Sequence, residues 1–363
     1  MTPAGSALSG SRRGRPGGVS RIRRTAAALV ALAAARAAGA HTVEWKNVAT
    51  FYGDDTEFST PYRTGETILG AQLSTFLSIR PSEKTEVLAG AFGDHRSGGE
   101  RFSDPVKPIL SFRYHGATSL GVLGTLETRE RHGFLEPLEV TTLELTRPIE
   151  YGLQWIEDRP RLHADLFIDW QHLNTTTSRE IFDYGAVVRV LPVRFVALEM
   201  QMHGVHHGGQ LHDVGPVAND VAFGPGLRLE APLPLVAGEA AVRIFELWSS
   251  GNKDLAAGGP TIHGHGTWVR GSIAPAGIAE LFAIWWAGKD FISAEGDNNY
   301  DSVGADPSFY RSNRHYQELG IVKKFPIDRW VDFDGEARLH RIDGTVEASF
   351  RLVVRVSLDF PIR

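Results

Sequence analysis

Apolar and polar positions alternate with a period of two along most of residues 41–363, which is the pattern of β-strands. In 330–341, the odd positions from 331 to 339 are apolar or small, and the even positions from 332 to 340 are charged or histidine. In 349–360 the even positions are apolar and the odd positions are polar, with Val353 as the exception. Helical spacing is nowhere sustained over three turns, so the pattern predicts an all-β fold.

The dipeptide Asp343-Gly344 separates these two strands and is the strongest short signal for a two-residue hairpin turn. With this turn, Glu336 falls opposite Arg351, and opposite charges directly across a ladder are favourable. One choice of turn therefore explains both the polar and the apolar face of the hairpin. The same register predicts the pairs Ile342–Thr345, Asp332–Arg355, Ala337–Phe350 and Phe333–Val354.

Short and long connections alternate along the chain. The short ones are 80–84, 115–118, 157–160, 191–194, 232–238, 274–277 and 325–329, and all but one contain proline, which ends a strand. The long ones are polar or glycine-rich: 53–65, 94–107, 129–147, 173–180, 204–219, 249–266 and 289–313. Counting strands from 43–52 to 346–360 predicts a transmembrane antiparallel up-and-down β-barrel of about sixteen strands. Both termini then lie on the short-turn, periplasmic side.

The charge of the polar face indicates which face points outward. On 161–172, apolar residues such as Leu166 alternate with Asp165 and Asp169, and 194–203 repeats the pattern. A soluble barrel would have to pack these charges into its interior, whereas sixteen strands in a membrane enclose an aqueous lumen. Hydrocarbon offers the backbone no water to bond to, so only a closed ladder is viable there. We therefore expect the apolar face to contact lipid.

The eight tryptophans lie near predicted strand ends. Because indole rings favour the membrane–water interface, this distribution predicts two aromatic girdles. The girdle on the short-turn side would contain Trp45, Trp155 and Trp330, and the girdle on the long-loop side Trp170, Trp248, Trp268, Trp285 and Trp286.

The first forty residues have the order of a secretory signal peptide. Six arginines between Arg12 and Arg24 are followed by the apolar run 26–35 and by the small residues Ala38-Gly39-Ala40. The apolar run is too short to span a bilayer, which takes roughly 20 residues. We therefore expect cleavage after residue 40, which leaves one domain, the barrel of residues 41–363.

Composition excludes some classes of function. Removing residues 1–40 removes seven arginines and no acidic residue, so the net charge changes from −5 to −12. A nucleic-acid partner is not expected, because its binding surface would be basic. The chain contains no cysteine, which excludes disulfides, a cysteine nucleophile and cysteine metal ligands.

The stretch 147–155 (RPIEYGLQW), together with 162–166 (LHADL) and 169–170 (DW), is similar to outer-membrane barrel proteins of Bacteroidetes-like bacteria. The chain as a whole resembles a Gram-negative outer-membrane β-barrel protein of the porin size class. The resemblance covers most of residues 45–340 and implies fold and location, but no activity. The end of the chain departs from the usual pattern, because Phe360 is followed by three further residues, whereas such barrels often end on the aromatic residue.

The best candidates for metal binding are His203, His206, His207 and His212, in a predicted strand end and outer loop. Imidazole suits zinc, copper and nickel. Their spacing matches no closed zinc motif, and a solvated loop with incidental histidines also explains them. A weaker candidate is 297–301 (DNNYD), whose oxygens suit calcium but lack the EF-hand spacing.

Linear catalytic motifs are absent. The sequence contains no G-x-S-x-G elbow, no H-E-x-x-H and no phosphate-binding loop. We therefore expect no catalytic residues, no cofactor and no enzymatic activity.

Charged residues on the polar face are predicted to line a pore and set its field. They are Asp165, Asp169, Glu199, Arg228, Glu230, Asp332, Asp334, Glu336, Arg338, Arg351 and Arg355. Pairing across strands explains them equally well, and paired charges could also fill the lumen.

The sequence thus favours a porin-like passive channel for small polar solutes. Two alternatives remain: a barrel whose outer loops bind a ligand or a partner within an envelope complex, and a lipid-acting outer-membrane enzyme with serine and histidine on its outer rim. The partners expected are outer-membrane lipid and lipopolysaccharide, the barrel-assembly machinery, and small polar solutes. The sequence leaves the oligomeric state open.

Overall fold

The computed structural model describes residues 42–99, 104–234 and 237–362, so the expected signal peptide lies outside the described residues. Sixteen antiparallel strands form one closed barrel in which every strand pairs with its neighbours in sequence. The strands are β1 (Thr42–Glu57), β2 (Glu66–Ser82), β3 (Thr85–Arg96), β4 (Lys107–His115), β5 (Ser119–Thr125), β6 (Tyr151–Arg159), β7 (Leu162–His172), β8 (Glu180–Val193), β9 (Val196–Gly208), β10 (Ala218–Leu233), β11 (Gly238–Gly251), β12 (Ile262–Ala274), β13 (Glu280–Lys289), β14 (Asn313–Pro326), β15 (Val331–Ile342) and β16 (Thr345–Pro361). The sixteen-strand barrel predicted from sequence is confirmed.

The barrel closes where the first strand meets the last. The β1–β16 pairing runs from Glu44 opposite Pro361 to Glu57 opposite Ala348. This pairing corrects one predicted boundary, because 53–57 belongs to β1 and not to a loop. Its glycine and aspartates are typical of a turn, but ladders on both sides hold the segment extended.

The predicted register of the last hairpin is confirmed, with Glu336 opposite Arg351 and Ile342 opposite Thr345. The ion pairs differ from the expectation. Arg351 instead pairs with Asp54 on β1, and Glu336 with Arg338 on its own strand. Backbone pairing fixes Cα positions, whereas long arginine side chains reach whichever carboxylate the lumen places nearby.

The barrel is apolar outside and polar inside, as expected. On β9, Leu198 and Met200 are exposed, whereas Glu199, Gln201 and His203 between and beyond them are buried. The same alternation on β7 exposes Leu166 and buries Asp165 and Asp169. Among the described residues, no helix is long and apolar enough to span a membrane.

Two of the predicted girdle tryptophans are not on the outer surface. Trp45, Trp155, Trp170, Trp248 and Trp285 are exposed, as girdle residues must be. Trp268 and Trp286, however, are 2% and 0% exposed, because both side chains point into the lumen. A Cβ at Gly266 would overlap the indole of Trp286, so the glycine on the neighbouring strand makes room for it.

Two long connections fold inward and fill the long-loop half of the lumen. The first plug segment is 126–150, which contains the short helix α1 (Leu143–Thr146), and the second is 290–312. Leu138 of the first and Phe291 and Tyr300 of the second are fully buried in one apolar cluster with inward-facing wall residues. The two segments also bond to each other, since Val140 N donates to Glu295 O and Asp297 N to Glu136 O.

Adjacent positions on β2 provide a test of the inside-out arrangement. Leu73 faces outward and is 49% exposed, whereas Ser74 lines a cavity inside the barrel. We expect Leu73→Arg to lower the free energy of unfolding by about 2–4 kcal/mol, because it places a charge in hydrocarbon. The matched variant Ser74→Arg should cost little. Urea unfolding in lipid vesicles measures the free energy of unfolding of both variants. A larger decrease for Ser74→Arg than for Leu73→Arg would reverse the assignment of the two faces.

Candidate functional site

The first plug segment enters the lumen through a left-handed turn. Glu130, Arg131 and His132 have φ values of 50°, 48° and 59°, which residues with a Cβ rarely adopt. Such strain persists only where surrounding contacts hold it, and it clusters at functional sites. Here the turn places Arg131 between the carboxylates of Glu139 and Glu150.

His132 bridges two carboxylates. Its Nδ1 lies 2.9 Å from Asp165 Oδ2 and its Nε2 lies 3.0 Å from Glu150 Oε2. Since carboxylates only accept, both ring nitrogens donate and the ring is an imidazolium. Burial alone would lower the pKa of His132, but the bonds to Asp165 and Glu150 outweigh it and raise the pKa to about 10. The ring also stacks on Phe167 at 3.8 Å between centroids.

A second histidine lies in a hydrogen-bonded relay on the opposite wall. His340 Nε2 is 2.8 Å from Ser349 Oγ, and its Nδ1 is 2.5 Å from the hydroxyl of Tyr316. That hydroxyl donates to Glu318 Oε2 at 2.6 Å. With the Tyr316 proton committed to the carboxylate, its oxygen accepts from Nδ1–H. His340 Nε2 then accepts the proton of Ser349, which is the geometry of a nucleophile and its base.

The relay borders a narrow neck in the lumen. Ser349 and His340 line a space of 20 Å³ with Asp54, Arg338 and Arg351. By size it holds about one water molecule. Asp54 also lines a mouth of 220 Å³ towards the long-loop end, and Arg338 and Arg351 also line a central cavity of 460 Å³. The neck therefore lies between the mouth and the central cavity and shares lining residues with both.

The short-turn half of the lumen holds a wider vestibule of 940 Å³, lined by residues that include Ser74, Arg113, Asp332 and Arg355. The eleven charges predicted to line a pore all lie on the inward faces of their strands. Six of them line the central cavity and three line the vestibule, with Asp334 and Arg355 shared. Several are paired: Glu199 with Arg189 on β8 and Arg243 on β11, and Arg228 with Glu230 on its own strand.

The four candidate histidines are not brought together on one loop. His203 is inward-facing and buried, and its Nδ1 donates to Leu138 O. His206 faces outward, where it packs on Phe182 and donates to Asn219. His207 is half-buried, and His212 lies beyond β9 in the connection 209–217.

The segment 297–301 lies buried within the second plug segment. Its carboxylates already have protein partners, since Asp297 pairs with Arg63 and Asp301 accepts from Ser293 N. No calcium is needed to explain this segment, and the weak calcium hypothesis stays untested. The segment 290–312 is also not a free outer loop of the kind that the partner-binding alternative assumed.

Comparison with known proteins identifies the family of this chain, which the geometry alone does not. A model described as "Lipid A 3'-O-deacylase-type" matches residues 35–363. The chain belongs to the lipid A 3'-O-deacylase-type family. No curated protein matches it.

Solved outer-membrane barrels share the architecture. The loop L8 deletion mutant of OmpT, an outer membrane protein of Vibrio cholerae, has a TM-score of 0.55 and 8% identity, covering 87% of this chain and 99% of that one. OccAB1 of Acinetobacter baumannii has a TM-score of 0.52 and 8% identity, with coverage of 88% and 97%. At these identities the likeness shows the fold alone, and with the family it makes the chain an outer-membrane β-barrel.

The prediction that the chain is not an enzyme is wrong, because the family is one of deacylases. Linear motifs do not reveal the relay, because Tyr316, His340 and Ser349 come from three different strands. The sequence nevertheless contained one signal for the proximity of His340 and Ser349. The predicted hairpin register already put His340 opposite Glu347, and so diagonal to Ser349 on the inward face.

The imidazolium of His132 predicts a pH dependence. A folded-state pKa of about 10 against an ordinary value of 6.5 gives a stabilising contribution that is complete below pH 6.5 and lost as pH rises towards 10. The advantage of wild type over His132→Gln should therefore shrink across this range by up to about 1.4 kcal/mol per pH unit. Unfolding midpoints of both proteins at several pH values measure it. An advantage that is constant or grows with pH would contradict the imidazolium.

Proposed function

We propose that this protein is an outer-membrane hydrolase that cleaves an ester-linked acyl chain from a lipid. The observation that carries the proposal is the relay Ser349–His340–Tyr316–Glu318 beside the charged neck. The family supports the substrate class, because its description names deacylation of lipid A. The proposal assigns Ser349 as the nucleophile and His340 as the general base.

The relay can perform the reaction in two steps. Ser349 Oγ would attack the ester carbonyl while its proton passes to His340 Nε2, and the same proton would then go to the departing alkoxide. Water would hydrolyse the acyl-serine by the reverse sequence, which releases the fatty acid and restores the serine. Tyr316 and Glu318 hold the ring so that Nε2 faces the serine.

Two arginines lie beside Ser349 and would stabilise the oxyanion by exchanging their present partners. Arg351 pairs with Asp54, and Arg338 pairs with Glu136, Glu318 and Glu336. The guanidinium groups of Arg338 and Arg351 line the same neck as Ser349. Donors held in place before reaction stabilise the developing charge of an acyl-transfer intermediate more than water does. The same arginines suit a substrate with phosphate groups, because guanidinium binds phosphate with two parallel hydrogen bonds.

Substrate would reach the relay from the long-loop end. In our proposal the termini are periplasmic, so the mouth faces the outer leaflet, where lipopolysaccharide lies. The mouth is lined by both plug segments, including Val140, Asn298 and Ala305. The neck holds only about one water molecule, so an acyl ester requires the plug segments to shift. Insertion by the barrel-assembly machinery remains a prediction.

Single substitutions at the relay test the assignment. Ser349→Ala and His340→Gln should each reduce release of fatty acid from purified lipopolysaccharide by about 100-fold or more, because each removes one half of the nucleophile–base pair. Ser357→Ala is the matched control, since Ser357 lies on the same strand and face but in the vestibule. Mass spectrometry of the lipid product measures the reaction, and heat-modifiable migration on gels confirms the fold. Full activity in folded Ser349→Ala would end the assignment.

A passive channel is the second candidate, favoured by the series of neighbouring cavities from vestibule to mouth. Because the neck is so narrow, we expect wild-type protein in a planar bilayer to show no steps of solute-sized conductance. Replacing 290–312 with a short Gly-Ser linker should produce them, because that segment fills the long-loop half of the lumen. Regular open steps in wild type would favour the channel and contradict the closed neck.

A further inference from the structure

A second cluster of titratable groups lies on the wall formed by β8 and β9 and plays no part in the relay. His203 Nε2 is 3.2 Å from Asp183 Oδ2 and 3.8 Å from Glu295 Oε2. Glu139, His203 and Glu295 each place one ligand atom within 4.8 Å of the others. Glu139 comes from the first plug segment, Glu295 from the second, and Asp183 and His203 from the barrel wall. Three separate parts of the fold therefore meet at one point.

The hydrogen bonding of His203 requires positive charge at Nε2. Its Nδ1 lies 3.1 Å from the carbonyl of Leu138, which can only accept, so Nδ1 carries a proton. Nε2 faces carboxylates, and it can face them only as an N–H donor or as the ligand of a cation. A backbone carbonyl that fixes Nδ1–H is the usual partner of a metal-bound histidine.

Two buried carboxylate oxygens in the cluster support the cation. Glu139 is 2% exposed and Asp183 is 0% exposed. Glu139 Oε2 and Asp183 Oδ1 have no hydrogen-bond partner in the described part of the chain. A buried polar atom without a hydrogen-bond partner costs about 1–3 kcal/mol, so native proteins leave few of them.

Acidic groups outnumber basic ones around the cluster. The ion pairs join five carboxylates: Glu139, Glu150, Asp165, Asp183 and Glu295. Against them stand Arg131, Arg147 and His132. This excess of acidic groups favours an added cation near His203.

We propose that Glu139, His203 and Glu295, with Asp183 beside His203, bind a divalent transition-metal ion that fastens both plug segments to the barrel wall. One imidazole nitrogen with carboxylate oxygens is a donor set suited to zinc or manganese, and the nitrogen disfavours calcium and magnesium. Arg131 binds Glu139 Oε1 and leaves Oε2 available to an ion. Arg147 binds both oxygens of Glu295, so an ion would share Glu295 Oε2 with this guanidinium. The site does not depend on ester hydrolysis and is tested without it.

The test uses the folded full chain, stripped with a chelator and titrated with ZnCl₂ in detergent. We expect one Zn²⁺ per chain by calorimetry and elemental analysis, with a raised thermal unfolding midpoint. Glu295→Gln and His203→Ala should each weaken binding by about tenfold or more. Glu295 lies in a plug segment outside the strands, so its isosteric variant keeps the experiment decisive if His203→Ala fails to fold.

The control removes two of the other candidate histidines. His206→Ala/His212→Ala should bind Zn²⁺ as wild type does, since His206 faces outward and His212 lies beyond β9. Loss of binding in this variant with retention in Glu295→Gln would overturn the proposal, as would absence of a stoichiometric Zn²⁺ or Mn²⁺ site in wild type. If Zn²⁺ binds without shifting the unfolding midpoint, the fastening role is wrong.

Discussion

A backbone amide in hydrocarbon has no water to bond to, and every other feature of this barrel depends on that constraint. It requires each strand to pair on both sides, so β1 must meet β16. Closure turns one face of every strand towards lipid and the other towards an enclosed space. Charged residues such as Asp165 and Glu199 are tolerable only because they face that space. A soluble sheet with the same alternation would bury Leu166 and Leu198 instead.

The same constraint explains how far the sequence could predict the fold. Alternation with a period of two, proline in the short turns and the Asp343-Gly344 hairpin are local signals, and each led to the correct strands or register. The tryptophans show where local signals end. Trp285 and Trp286 are neighbours at one strand end, yet only the first faces lipid, because the second packs on the plug. Composition near a strand end does not distinguish an interface residue from one that contacts an inserted segment.

Local sequence patterns could not predict the candidate site, because its residues come from strands and segments that are far apart in the sequence. The relay unites β14, β15 and β16, and the cluster of Glu139, Asp183, His203 and Glu295 unites the wall of β8 and β9 with two plug segments. A loop rich in polar residues predicts an outer loop, whereas 126–150 and 290–312 carry enough apolar side chains, such as Leu138 and Phe291, to be drawn into the lumen. Charges of the inner wall then pair with charges of the plug, as Arg338 does with Glu136 and Arg355 with Glu144. The lumen of this sixteen-strand barrel, which is wide enough for a pore, is thereby filled with polar and charged clusters.

The seam between the first and last strands has a consequence for when the protein becomes competent. Arg351 Nε donates to Asp54 Oδ2 at 2.8 Å, although 297 residues separate the two in sequence. The neck beside Ser349 therefore has one wall from the first strand to leave the ribosome and another from the last. An incomplete or unassembled chain has no neck. The proposed ester-cleaving site would therefore be inactive during synthesis and export. It would form only when the first and last strands pair and close the barrel.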